Sequence, residues 1–373
     1  MKKFRKMLAL VLALAMCLAM TTVAFAAENE DPSENFNEVG FFESGVDPAS
    51  RDTYEIVYSY MRPMSLMQQI NDTLVELEPI LNFKTTAYCA NSDIDALIQN
   101  IQLYADQGAD GFVIVIDPTA SDRICQVLDE TGLPYIALLN TIHGEDGGVI
   151  VPAVGLEGIS AGEMIVQWMY DNYKEFWGEI DESQIGLLDF NFSPNTYFND
   201  RYVGSKQNFL ELLPGNEDLI FDADGVSGKL DEQTGYDLAT AILSAHPEVE
   251  YWFVPCCLEL YAQGATRAVE ALDMEDNVMI VDISGDMLPS EWDLGYEGCW
   301  VASYAVSGLL YAVPAVCAVI SMLDGQSTPE TLWLNERGEN DTYTNFNPMG
   351  EMIVKDTYKE YFATIRKLSG LDE

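Results

Sequence analysis

Basic residues are scarce in this chain. Its 373 residues include 18 Lys+Arg against 61 Asp+Glu, for a formal net charge of −43. Phosphate recognition requires clustered cations, so the composition excludes nucleic acid as a partner and argues against docking on an anionic membrane surface. Histidine is rarer still, with two residues in the whole sequence. That scarcity excludes His-based metal clusters and most mechanisms with a histidine general base, and we expect no metal site and no cofactor.

The N-terminal apolar stretch is too short to cross a membrane. Met7–Met20 spans 14 residues, whereas a transmembrane helix needs about 20. Four cations precede it and Ala24-Phe25-Ala26 follows it. This pattern predicts a secretory signal peptide over residues 1–26, cleaved after Ala26, and hence an exported protein of the periplasm or cell surface. A membrane anchor is the alternative, and lipid attachment at Cys17 is disfavoured because the bulky Met16 precedes it.

Export would leave a still more acidic chain with few cysteines. Removal of the four N-terminal cations leaves 14 Lys+Arg against 61 Asp+Glu, a net charge of −47. Six cysteines remain, an even number that permits disulfides in an exported protein. Five of them stand among apolar neighbours, where free buried thiols are equally expected, so both possibilities stay open.

Beyond an acidic leader at 27–50, predicted to be flexible, short β-prone runs alternate with helical patterns. The helix predicted at Met64–Leu81 has apolar residues at helical spacing, and Gly111–Ile116 is a continuous apolar run typical of a central parallel strand. Such alternation predicts an α/β protein with doubly wound parallel sheets. One closed barrel is the alternative. We favour two lobes, because Thr141–Gly148, with Pro152 and Gly155, interrupts the pattern.

An ordered set of short motifs resembles a known family. Gly108–Ile114, Gly132–Ile136, Arg201–Gly204 and Ala245–Val249 are similar to segments of the sugar-type periplasmic (solute) binding proteins of ABC importers, which have the type I periplasmic binding protein fold. The resemblance covers roughly residues 51–325. It implies two doubly wound parallel-sheet lobes joined by a multi-strand hinge, with the ligand cleft between them. The lobes are expected to comprise residues 51–155 plus 306–325 and residues 156–305 plus 326–373.

The resemblance also implies which residues face the ligand. Arg201 matches the second-lobe arginine that commonly binds the ligand, and a guanidinium can donate two hydrogen bonds to a diol or carboxylate. The alternative for Arg201 is a surface salt bridge in a very acidic chain. The aromatic candidates are also explained by ordinary core packing. The full set of expected ligand-binding residues is Tyr60, Arg62, Asp117, Asn140, Glu157, Phe192, Arg201, Glu259, Ser284 and Tyr304.

The chain departs from the family pattern at several of these positions. Leu258-Glu259 replaces Asn-Asp, and Leu139-Asn140 replaces an Asp-Arg pair. Unpaired polar groups in a closed cleft cost about 1–3 kcal/mol each. A ligand matched to a different set of side chains is therefore expected, a sugar or a sugar-like molecule.

Three functions are compatible with this pattern. The resemblance implies a monomeric, non-enzymatic protein that captures a small ligand, a carbohydrate by the resemblance, for the membrane permease of an ABC importer. A ligand-sensing module for a membrane receptor or kinase is the alternative. A secreted α/β hydrolase is disfavoured, because the sequence contains no Gly-x-Ser-x-Gly elbow.

Overall fold

The first lobe is built on a six-stranded, fully parallel sheet. We analysed a computed structural model, which describes residues 35–348 and 350–371. The elements are β1 Tyr54–Tyr60, α1 Ser65–Leu81, β2 Phe83–Cys89, α2 Ile94–Asp106, β3 Gly111–Ile114, α3 Ser121–Thr131, β4 Tyr135–Leu138, β5 Ala153–Val154, α9 Gly308–Leu323 and β11 Asn345–Phe346. The strands run in the spatial order β11-β5-β4-β3-β1-β2, and the four helices cover this sheet.

The second lobe repeats this architecture. Its elements are α4 Gly158–Trp177, β6 Ile185–Asn191, α5 Thr196–Leu212, β7 Ile220–Asp224, α6 Glu232–Ala245, β8 Tyr251–Cys256, α7 Glu259–Ala271, β9 Val278–Ser284, α8 Leu288–Asp293, β10 Trp300–Ala305, β12 Glu351–Ile353 and α10 Tyr358–Leu368. Its six strands have the order β12-β10-β9-β8-β6-β7, and all neighbours are parallel except the antiparallel pair of β10 and β12.

Two separate sheets confirm the predicted pair of doubly wound lobes and rule out a single barrel. The chain crosses between the lobes three times, after β5, after β10 and between β11 and β12. Central strands such as β3 and β6 are buried along their whole length. Because helices cover both faces of each parallel sheet, the side chains on both sides of a central strand are buried. The sequences of these strands are therefore largely apolar.

Two predicted boundaries need correction. Residues 326–373 were expected in the second lobe, but β11 pairs in parallel with β5 of the first lobe, so only the part from β12 onward belongs to the second sheet. The leader 27–50 was expected to be flexible, yet Val39 and Phe42 are buried in the core. Asn37 also donates a hydrogen bond to the carbonyl oxygen of Leu368 at 2.6 Å. Within the leader, residues 35–50 are therefore part of the folded protein, and the predicted signal peptide lies outside the described residues.

Close helix packing in the second lobe fixes the position of α5, the helix that carries Arg201. Gly162 of α4 and Gly204 of α5 face each other's helix backbones, and a Cβ atom on either would collide with main-chain atoms of Arg201 or Ile159. Only glycine permits this approach of two helices. The two glycines thus fix the position of the Arg201 main chain relative to α4.

In the described part of the chain, no helix is long and apolar enough to span a bilayer. The six cysteines that follow the predicted signal peptide are all free thiols there, four buried and two half-buried. Two packed cores of this size need no covalent cross-link.

Candidate functional site

The strand order defines where each lobe can bind a ligand. In open parallel sheets, ligands bind at the carboxyl ends of strands where the winding direction reverses. This switch point lies between β1 and β3 in the first sheet and between β6 and β8 in the second. Tyr60 ends β1, and Asn191 ends β6. The space between these two edges is called the interlobe cleft below.

Arg201 lies across the carboxyl ends of the second sheet. Its Nη1 atom donates to the carbonyl oxygen of Cys257 at 2.6 Å and to that of Ile283 at 3.4 Å, just beyond β8 and at the end of β9. Its guanidinium carbon stands 4.2 Å from the ring centre of Tyr197 and 5.6 Å from that of Phe198. The residue is 5% exposed, and its Nε atom is buried without a hydrogen-bond partner. The alternative of a surface salt bridge is therefore wrong.

Two tyrosines connect the lobes beside Arg201. The hydroxyl oxygen of Tyr197 on α5 lies 3.1 Å from that of Tyr311 on α9, and either can be the donor. Tyr311 is fully buried, and burial raises the pKa of its phenol well above the usual value. The Tyr311 hydroxyl therefore stays protonated and able to hydrogen-bond to Tyr197 across the cleft at any physiological pH.

A second contact between the lobes lies next to the β10–α9 crossing. The Gln69 side chain of α1 faces the carboxyl of Asp286 and lowers its pKa, and the Oε1 atom of Gln69 accepts from the main-chain N–H of Gly308 at 3.3 Å. An interlobe cavity of about 310 Å³ opens here, and its lining includes Thr73 and Ser307. The two lobes thus meet at Gln69 as well as at Tyr311.

Two buried carboxyl groups, those of Glu259 and Asp282, and the half-buried carboxyl of Asp286 lie behind this part of the cleft. Burial raises the pKa of Asp282 to about 7 and that of Asp286 to about 6, and it raises the pKa of Glu259 well above its usual value. Asp282 accepts hydrogen bonds from Trp300 Nε1 at 2.8 Å and Ser303 Oγ at 3.0 Å. These groups make the base of the second lobe acidic, with Arg201 as the cation beside them.

The structure gives Glu259 a different position from the expected ligand contact. Its Oε1 atom accepts from the main-chain N–H groups of Asp286 at 2.8 Å and Met287 at 2.7 Å. The residue is 6% exposed. Glu259 therefore anchors the loop after β9, and through that loop it positions Asp286, whose Oδ2 accepts from Ser284 Oγ at 2.9 Å.

The four first-lobe candidates lie at the ends of β1, β3 and β4. Tyr60 is half-buried and stacks on Tyr58 with ring centres 5.0 Å apart. Asp117 accepts from the N–H of Thr119 at 2.9 Å and so caps a turn. Asn140 donates to the carbonyl oxygen of Ile116 at 2.9 Å, which leaves its own amide oxygen for other contacts. These three share the cleft edge of the first sheet.

Arg62 also lies beyond β1, but its guanidinium is bound elsewhere. The residue is exposed, and its Nε donates to Ser92 Oγ at 2.9 Å. Glu157, at the first crossing, caps α4 by accepting from the N–H of Ser160 at 2.7 Å. Both side chains have local roles in this conformation.

The two remaining aromatic candidates differ in their environment. Phe192 is half-buried in the loop after β6 and makes an edge contact with Phe198, with ring centres 6.4 Å apart. Tyr304 is 5% exposed, and its hydroxyl accepts from the N–H of Gly350 at 3.1 Å, in the third crossing. Phe192 thus lies at the carboxyl end of the second sheet beside Phe198, whereas Tyr304 packs inside the hinge.

Asn191 was missed by the sequence analysis. This residue, 5% exposed, donates from Nδ2 to Asn199 Oδ1 at 3.0 Å, while its own Oδ1 atom is buried without a partner. An asparagine at the end of a buried strand is a signal that was available in the sequence, since apolar residues fill most of β6. Tyr311 gave no such signal, because it lies in an apolar helix.

Within residues 35–348 and 350–371, no group of three or more His, Cys, Asp or Glu side chains is arranged to hold a metal ion. The acidic residues at the base of the second lobe are bound instead to main-chain N–H groups, an indole and hydroxyls.

Two α/β lobes around a cleft at the carboxyl ends of their strands define a bilobal ligand-binding protein. The profile of the family described as "Periplasmic binding proteins and sugar binding domain of LacI family" matches residues 64–283, more than half of the chain. The chain belongs to this family. Its members are binding proteins rather than enzymes. No curated protein matches the chain by sequence.

Solved structures share the fold at low sequence identity. An ABC transporter periplasmic solute-binding protein from Actinobacillus succinogenes, with bound D-allose, has a TM-score of 0.63 and 15% identity over 83% of this chain and 100% of that one. An ABC transporter solute-binding protein from Bacillus halodurans, with bound myo-inositol, has a TM-score of 0.61 and 17% identity, and the match covers 84% of this chain and 98% of that one. The Caulobacter myo-inositol binding protein, bound to myo-inositol, has a TM-score of 0.63 and 17% identity, and the match covers 82% of this chain and 95% of that one. At these identities the likeness concerns the fold.

Proposed function

We propose that this protein is an exported solute-binding protein that captures a sugar or sugar-like ligand for the permease of an ABC importer. Arg201 is the single observation that carries the proposal. It is a buried cation with an unpartnered N–H, at the carboxyl ends of the second sheet and next to the interlobe tyrosines. Arginine and aromatic rings together suit a polyhydroxylated ligand, because the rings stack on its apolar faces while the guanidinium binds hydroxyl oxygens.

Three further considerations support this proposal. Family members are ligand-binding proteins, and the similar solved structures are described with D-allose and myo-inositol bound. The predicted signal peptide would place the chain outside the cytoplasm, where such a protein meets its ligand. A ligand that contacts both lobes stabilises the closed form by its differential affinity for that form, and a permease can recognise the closed form.

Ligand screening of the mature chain tests the proposal. The chain from Ala27 onward is screened by thermal shift with D-allose, D-ribose, L-arabinose and myo-inositol, followed by calorimetric titration of each compound that raises the melting temperature. We expect at least one of them to bind, because a ligand that binds only the folded state raises its melting temperature. Absence of any shift across the panel would contradict the proposal.

Substitution at the site separates cleft binding from binding elsewhere. Arg201→Lys keeps the charge but loses the planar fork, so we expect the ligand affinity to fall at least about tenfold. Arg267→Lys is the matched control, since Arg267 pairs with Glu232 on the outer surface of the second lobe. Unchanged affinity in Arg201→Lys would place the ligand away from this residue.

A further inference from the structure

Two buried polar atoms at the second-sheet edge lack hydrogen-bond partners. One is the acceptor Asn191 Oδ1, at the end of β6, and the other is the donor Arg201 Nε, on the adjacent helix α5. Arg201 also contacts Cys257, which directly follows β8, and β6 pairs with β8 through Phe190 and Cys256. Both atoms therefore belong to the switch point where a ligand is expected.

Unpartnered buried groups of this kind are costly. Each one forfeits its hydrogen bonds to water without replacing them, so native proteins pair nearly all of them. A ligand that pairs both atoms recovers that cost on binding. It must bring a donor for Asn191 and an acceptor for Arg201, and the hydroxyl group is the common ligand group that does both.

Charged ligand groups satisfy only half of this requirement. A carboxylate only accepts hydrogen bonds, so it can pair with Arg201 but not with Asn191 Oδ1; an ammonium group only donates. A carboxylate beside Arg201 would also approach Asp282, which is buried and senses the charge of Arg201. At the point of the ligand that meets Asn191 and Arg201, the pairing rule thus favours a hydroxyl group over a carboxylate or an ammonium group.

We infer that Asn191 is a specificity-determining residue of the cleft, and that with Arg201 it selects a neutral polyol over the corresponding acid sugar. The inference rests on the proposed function and deepens it by naming the ligand class. The family resemblance did not indicate this residue. What indicates it is the unpartnered amide oxygen of a side chain held in place by Asn199.

Calorimetric titration of matched sugars tests the inference. The wild type is titrated with the neutral panel above, with D-glucose and D-galactose, and with D-glucuronate and D-galacturonate. We expect the tightest ligand to be neutral. Leucine is similar in size to asparagine but lacks the acceptor. Asn191→Leu should therefore weaken the binding of neutral ligands about tenfold or more and reduce the ratio of neutral-sugar affinity to uronate affinity. Asn191→Asp keeps an acceptor and adds negative charge, so it should widen that preference.

Asn208→Leu is the matched control for loss of stability. Asn208 is a buried asparagine near the C-terminal end of α5, and its Nδ2 donates to the carbonyl oxygen of Glu163 at 2.7 Å. Its replacement should lower the melting temperature and leave affinity unchanged. A uronate as the tightest ligand, or unchanged affinity in Asn191→Leu, would overturn the inference while the proposed function stands. Failure of every compound to bind the wild type would instead overturn the proposed function, and this inference with it.

Discussion

The hydroxyl oxygens of Tyr197 and Tyr311 lie 3.1 Å apart and belong to different lobes. Tyr197 extends from α5 of the second lobe, and Tyr311 from the first turn of α9, immediately after the β10–α9 crossing. The bond therefore joins the lobes at the base of the cleft and beside Arg201, whose guanidinium stacks on the Tyr197 ring. Opening of the lobes about the hinge would separate these two atoms.

The coupling between the two tyrosines is measurable. Tyr197→Phe and Tyr311→Phe each remove one hydroxyl, and the double variant removes both. We expect a coupling free energy of about 0.5–1.5 kcal/mol in a double-mutant cycle of urea unfolding, the usual net value of one neutral hydrogen bond. Additive effects of the two substitutions would show that the hydroxyls do not interact in solution.

We expect Arg201 to stabilise the fold in addition to its proposed role in ligand binding. Arg201→Leu removes the donor to the carbonyl oxygens of Cys257 and Ile283. Because buried acceptors are then left unpaired, we expect the free energy of unfolding without ligand to fall by about 1–3 kcal/mol. The control is Arg267→Leu at an exposed ion pair, for which less than about 1 kcal/mol is expected. Equal effects of the two substitutions in urea unfolding would contradict the structural role of Arg201.

Asp282 makes stability depend on pH. Burial raises its pKa from 3.8 to about 7, so the folded state holds the proton more tightly than the unfolded chain does. Its contribution to stability is therefore complete below about pH 4 and is lost as the pH rises to about 7. In wild type, the free energy of unfolding should decline across this window with a slope that includes about one proton from Asp282. Asp282→Asn should remove that part of the slope. Asp276→Asn, at an exposed turn, is the control. Parallel pH curves for the wild type and Asp282→Asn would disprove this assignment.

Phe42 tests whether the acidic leader is part of the fold. Its side chain is 4% exposed and packs in the main core, so Phe42→Ala should lower the free energy of unfolding by about 3–5 kcal/mol. Phe176→Ala, at a phenylalanine that is 48% exposed, should cost much less. Equal and small losses in both variants, measured by urea unfolding, would restore the original expectation of a flexible leader.

Local sequence patterns were sufficient to predict the alternating elements. Gly111–Ile116 indicated a central strand, and β3 is buried at every residue. The helix predicted at Met64–Leu81 begins one residue later as α1. These elements were predictable because hydrophobic periodicity and flanking glycines act over a few residues. The two short strands at Asn345–Phe346 and Glu351–Ile353 were not, because they are defined by distant pairing partners.

The sequence by itself determined the class of protein: an acidic, two-lobed α/β binding protein with few histidines and an arginine in its second-lobe motif. Tertiary structure decided what each candidate side chain does. Glu259 anchors a loop, Tyr304 packs in the hinge, and Asn191 and Tyr311 come to the cleft from a buried strand and an apolar helix. The physical reason is that fold class follows from local periodicity. The partner of a polar side chain depends on residues tens of positions away, or more than a hundred in the case of Tyr197 and Tyr311.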